Sequence, residues 1–144
     1  CKMKKIVYIC TLVMVVLPLI ACSTALTKAE LDPWLAKVSG DKPPEINVEG
    51  RWQDAIANPD TPFSWGKGFF EQEGKQVTGS LGNYNVRGKV SEETVYLAFL
   101  SAGEVYYTAR LENRKDGLLR GDYFYAEDRE QKNGMPMALE RVEK

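Results

Sequence analysis

Thr94-Val-Tyr-Leu-Ala-Phe-Leu-Ser-Ala-Gly-Glu-Val-Tyr-Tyr-Thr-Ala-Arg-Leu-Glu112 decides the fold. Two β-patterned segments, 94–100 and 105–112, flank Ser101-Ala-Gly103, whose residues have turn chemistry. Taken as a three-residue loop ending in a left-handed glycine, it sets Phe99 opposite Val105 and Leu97 opposite Tyr107. Side chains two apart on a strand share a face. Val95, Leu97, Phe99, Val105, Tyr107, Ala109 and Leu111 therefore form the expected interior. Tyr96, Leu100, Tyr106, Thr108, Arg110 and Glu112 point the other way.

The same pattern runs through most of the chain. Eight strand segments are expected, at 47–54, 63–71, 75–82, 84–90, 94–100, 105–112, 118–125 and 136–142. Glu73-Gly74, Lys115-Asp-Gly117 and Lys132-Asn-Gly134 supply further turns. The connections are too short for crossover helices, so neighbouring strands pair antiparallel. A flat eight-stranded sheet would leave two raw edges, and closure removes both. The expected fold is all-β: an eight-stranded antiparallel up-and-down meander barrel over 47–144, preceded by a short helix.

Upstream, residues 22–46 read as a tether. Asp32-Pro33 is the expected N-cap and first helical position, and Gly40 the stop. The two-turn helix between them carries Trp34, Leu35 and Val38 and is expected to plug or brace one end of the barrel. A second role for Trp34 is to dip into a membrane interface. Further upstream, Lys2, Lys4 and Lys5 precede an apolar run from Ile6 to Ile20 and then Ala21-Cys22. This is the layout of a secretory signal. Leu19-Ile-Ala-Cys22 resembles the lipobox of bacterial lipoproteins. The resemblance implies a signal peptide over 1–21, lipidation of Cys22, and attachment to a membrane through that lipid. Ser23, where inner-membrane lipoproteins tend to carry Asp, points to the outer membrane of the cell envelope.

Val77-Thr-Gly-Ser-Leu81, Val86-Arg-Gly-Lys-Val90 and Leu119-Arg-Gly-Asp-Tyr123 each place a glycine on the same face as two larger apolar residues. Glycine there permits sharp coiling of a small barrel. With Gly50-Arg-Trp52 on the first strand, these segments resemble the calycin superfamily, which includes lipocalins and avidins. The resemblance implies an Arg on the last strand over the indole of the Gly-x-Trp motif. Arg141 is the matching residue, with a structural role at Trp52. The aromatic-rich strands with which avidins hold biotin are not reproduced, so no ligand follows from the resemblance.

Composition narrows the chemistry. There is no histidine in the chain, which removes the usual general base and the commonest metal ligand. Without residues 1–21, Cys22 is the only cysteine, and sixteen basic residues face twenty acidic ones, a net charge of −4. No metal or other cofactor is expected, and no nucleic-acid partner. Ser64-Trp-Gly-Lys67 matches Ser-x-x-Lys, but three residues apart on a strand point to opposite faces. Glu71 with Glu73, or Asp122 with Asp128, is a weak candidate for a carboxylate pair.

What remains is aromatic. Tyr84, Tyr107, Tyr123 and Tyr125 are expected to face inward, where their hydroxyls could orient a small ligand or satisfy one another around a filled core. Tyr96, Leu100 and Tyr106 are expected on the outside, as a surface for a protein partner or for self-association. The expected function is a non-enzymatic envelope lipoprotein acting through protein contacts, as an accessory, inhibitor or assembly factor. The alternative is binding of a small hydrophobic or aromatic ligand in the barrel mouth.

Overall fold

The computed structural model describes residues 25–56 and 63–143; the expected signal segment and Cys22 lie outside them. A helix, α1 (Lys28–Ser39), precedes eight strands: β1 (Gly50–Asp54), β2 (Lys67–Glu73), β3 (Gln76–Leu81), β4 (Tyr84–Ser91), β5 (Thr94–Ser101), β6 (Glu104–Asn113), β7 (Leu119–Tyr125) and β8 (Met135–Arg141). Each strand pairs antiparallel with the next, and β1 pairs with β8, so the sheet closes into an up-and-down barrel. This architecture is compatible with a calycin-like fold. Alternation drives the closure: Phe70, Leu81, Leu97, Phe99, Leu111 and Leu139 point inward and are fully buried.

The β5–β6 pairing differs from expectation by two residues, one from a shorter turn and one from a bulge. Ala102 and Gly103 both have positive φ, 52° and 81°, the pattern of a two-residue hairpin turn. Phe99 therefore pairs with Tyr107 and Leu97 with Ala109, and a bulge lets Leu100 pair with Val105. Tyr106 is the extra residue. It absorbs the offset and turns Val105 to the outside, where it packs with Leu100.

The three glycines do lie on the inward face, because the neighbouring backbone crosses close over them. A Cβ at Gly79 would sit 1.9 Å from the Phe69 carbonyl oxygen, and one at Gly121 would sit 2.0 Å from that of Arg110. Gly79 also has φ +150°. At these positions a side chain would run into the backbone of the adjacent strand, so only glycine lets the strands approach this closely.

The helix departs from expectation in both extent and place. It begins after Thr27 rather than at Asp32, because Thr27-x-x-Glu30 starts it: Thr27 Oγ1 donates to Glu30 Oε1 at 2.8 Å, and the Glu30 N–H donates to the Thr27 carbonyl. Asp32 instead pairs with Arg87 on β4 at 3.0 Å, and Pro33 sits inside the helix. Gly40 ends it with φ +71°. Rather than plugging an end, α1 lies along the outer wall. Leu31, Trp34 and Leu35 cover Ala98, Leu100, Val105 and Tyr96. Trp34 is buried there, its indole N–H donating to the Arg129 carbonyl at 3.0 Å.

The closed end is instead filled by residues 46–49. Trp52 Nε1 donates to the Val48 carbonyl at 2.7 Å, and Gln72 Oε1 accepts the Val48 N–H at 2.8 Å. Arg141 pairs across the β1–β8 seam with Trp52, its guanidinium carbon 4.5 Å from the indole centroid. The same guanidinium donates to the carbonyls of Glu49 and Asn47. Arg141→Met keeps the stem and removes the charge and the donors. It is expected to cost about 1–3 kcal/mol, from the cation–π contact and the lost hydrogen bonds. The shift in urea midpoint at unchanged m-value measures it.

Candidate functional site

The open end of the barrel is made by residues 55–56 and 63–66, 82–83, 102–103 and 126–134, and its aromatics converge. Strand alternation brings Tyr84, Tyr107 and Tyr123 to the mouth, partly buried against the core. Tyr107 is central, with ring centroids 5.8 Å from Tyr84, 5.8 Å from Tyr123 and 5.6 Å from Tyr125. Tyr125 stands at the rim and is 54% exposed. Burial, with Tyr84, Tyr125 and Tyr123 beside it, raises the pKa of the Tyr107 hydroxyl. Burial, then Tyr125, does the same at Tyr123. Both hydroxyls are therefore neutral near physiological pH.

Trp65 fills the centre of this mouth and is 4% exposed. Its ring lies 4.6 Å from Phe99, 5.1 Å from Tyr123, 5.5 Å from Tyr107 and 5.2 Å from Phe63. Asp54 holds it there: one carboxylate oxygen accepts the Trp65 N–H at 3.0 Å and the other the Ile56 N–H at 3.0 Å. The strand expected over 63–71 begins only at Lys67, and residues 63–66 form the stopper instead. The available signal was Gly66 directly after the tryptophan; its φ of +74° breaks the extended run.

Two hollows accompany these features. A shallow cleft of about 300 Å³ lies at the mouth between Phe63, Trp65, Tyr123, Met135 and Pro136. A larger groove of about 830 Å³ lies outside the barrel beside α1, lined by Trp34, Val38, Tyr96, Arg110 and Arg129. The polar edge of that groove is occupied by its own ion pair. Arg129 Nη1 and Nη2 donate to the Glu30 carboxylate at 2.6 and 3.0 Å, and Nη2 also reaches the Ala25 carbonyl at 2.9 Å.

This pair is a clamp between α1 and the β7–β8 loop. Hydrogen bonds from Arg129 and then Thr27 hold Glu30 at a pKa of about 2, below its usual 4.5. A lowered folded pKa means the docked form favours the carboxylate, so the clamp is complete above pH 4.5 and is lost as pH falls towards 2. The Trp34 indole N–H resonance, which reports docking of α1, is expected to shift across that window. Glu30→Gln should abolish the step; an equal step in the variant would remove Glu30 as its source.

The outer patch is largely occupied. Leu100 is buried and Tyr96 partly covered by α1, while Tyr106 remains 46% exposed. The carboxylates have local work or stand apart. Asp128 accepts the N–H groups of Lys132 and Asn133 and shapes the β7–β8 loop, and Glu71 and Glu73 sit exposed on β2. Ser64 accepts the Gly66 N–H at 3.1 Å and is not in a strand. Comparison with protein-family models, with curated proteins and with solved structures found no match for the chain.

Proposed function

We propose that this chain is a non-enzymatic envelope lipoprotein, held at the outer membrane by lipid on Cys22, that acts through external contacts with other envelope proteins as an accessory, inhibitor or assembly factor. The closed meander with Arg141 over Trp52 supports placing its barrel with the calycins. The observation that carries the reading is the stopper. Trp65 and the buried side chains beneath it occupy the space in which a ligand-carrying barrel keeps its cargo. Contact then falls to the outside of the molecule. The mouth cleft favours the second reading, a small aromatic ligand, but it is shallow and its floor is Trp65 itself.

Native mass spectrometry of the protein taken from its own envelope tests this. The expected species is the acylated chain without a retained small molecule. Photo-crosslinkers at Phe69, exposed on the wall away from α1, and at Lys115, in the closed-end loop, are expected to capture protein neighbours. A stoichiometric bound metabolite, or no protein adduct at either position, would falsify the proposal.

A further inference from the structure

The geometry points to the open end as a lipid-facing surface, with the barrel standing mouth-down and its aromatic rim seated in the headgroup layer. This rests on the lipidation of Cys22 proposed above. Among the described residues, four of the five exposed large hydrophobic ones lie at this one end: Ile56, Phe63, Tyr106 and Tyr125, between 38% and 54% exposed. The fifth, Phe69, lies on the wall.

The tether leaves at the same end. The Leu26 N–H donates to the Ala126 carbonyl at 3.0 Å, one residue beyond Tyr125, and the Ala126 N–H donates to the Tyr106 carbonyl at 3.1 Å. Arg129 fixes Ala25 through its carbonyl. Cys22 is three residues before Ala25, so covalent geometry keeps it within about 11 Å of that point. Acyl chains on Cys22 would therefore enter the bilayer beside Tyr106 and Tyr125. α1 then runs away from the membrane towards the closed end, where the Gly40 carbonyl accepts a hydrogen bond from Lys75.

Tyrosine suits this location because its ring can meet apolar chains while its hydroxyl stays hydrated, and Phe63 and Ile56 add purely apolar surface beside it. Charge does not supply the attraction. The β7–β8 loop carries Glu127, Asp128 and Glu130 against Arg129 and Lys132, and both bases are paired, to Glu30 and Glu130. The lipid surface it fits is therefore one rich in zwitterionic headgroups, without a requirement for anionic lipid. The walls and the closed end remain open to protein partners.

The test uses the full acylated protein in phosphatidylethanolamine–phosphatidylcholine vesicles containing nitroxide-labelled lipid. A fluorophore is placed through Glu104→Cys at the open end or Lys115→Cys at the closed end. Quenching at the open end is expected to be several-fold stronger, and added phosphatidylglycerol should not increase it. Phe63→Ser with Tyr106→Ser and Tyr125→Ser should erase the difference while circular dichroism stays that of the barrel; if the triple variant does not fold, Tyr125→Ser alone should reduce it. Equal quenching at both ends overturns the orientation yet leaves the lipoprotein reading standing, whereas a Cys22 without acyl mass sinks both. Unchanged quenching in the serine variants, or burial of the open end only after an envelope protein is added, also overturns the rim as a lipid surface.

Discussion

Replacing Trp65 by alanine is expected to lower the unfolding free energy by about 3–5 kcal/mol, the range for removing a large buried aromatic. The loss is large because the indole touches Phe99, Tyr107 and Tyr123 at once. The site cannot collapse readily, since its walls are strands locked in a closed ring. The void should therefore persist and accept an aromatic of similar shape. Added indole is expected to recover part of the stability in a concentration-dependent way, as any ligand bound only by the folded form does. Urea unfolding with and without indole measures both effects. A loss under about 1 kcal/mol would show that Trp65 is a surface cover and not a stopper.

Gly79→Ala is expected to cost roughly 2–6 kcal/mol, combining overpacking with backbone strain. The added methyl group would meet the Phe69 carbonyl oxygen at 1.9 Å, and this is backbone that cannot swing aside. The residue must also hold φ at +150°, which a side chain rarely allows. Gly74→Ala is the control. Its φ is +61° but no atom lies within 4 Å of the new methyl group, so only the left-handed cost of about 1–2 kcal/mol applies. Denaturation midpoints of the two variants, compared at equal m-values, separate crowding from strain. Equal losses would mean that coiling at Gly79 is not what closes the barrel.

The barrel was legible because its information is local. Period-two alternation, turn residues and short connections specify eight antiparallel strands in order, and the two-residue register difference at β5–β6, being even, leaves Leu97, Phe99, Tyr107, Ala109 and Leu111 inside. The contact between Arg141 and Trp52 was legible through the resemblance, since the residues are far apart in sequence and adjacent only across the seam. The position of α1 was less so. Its signal is nonetheless present: Val95 to Leu100 is apolar at every position, which is how a strand reads when both faces are covered. Tyr96 and Leu100 were therefore better read as the seat of α1 than as a free surface. The stopper was the hardest feature to see, because the place of Trp65 depends on the Asp54 carboxylate gripping the end of a long connection. Strand periodicity carries no trace of such a bond.

The path of the chain before β1 also has a mechanical meaning. If Cys22 is lipidated as proposed, load on that anchor would enter at Ala25 and meet first the hydrogen bond from Leu26 to Ala126 and the Glu30–Arg129 pair. It peels these contacts one after another from the open end, the weakest way to load them. The barrel ring, closed by its own ladders, lies behind them and stays shut. Releasing residues 26–43 lets that stretch extend to about 60 Å, against the roughly 18 Å its twelve helical residues span when docked. The docked helix is thus a tension fuse: a hard pull lengthens the leash and bares Tyr96, Ala98 and Leu100 before it can open the fold.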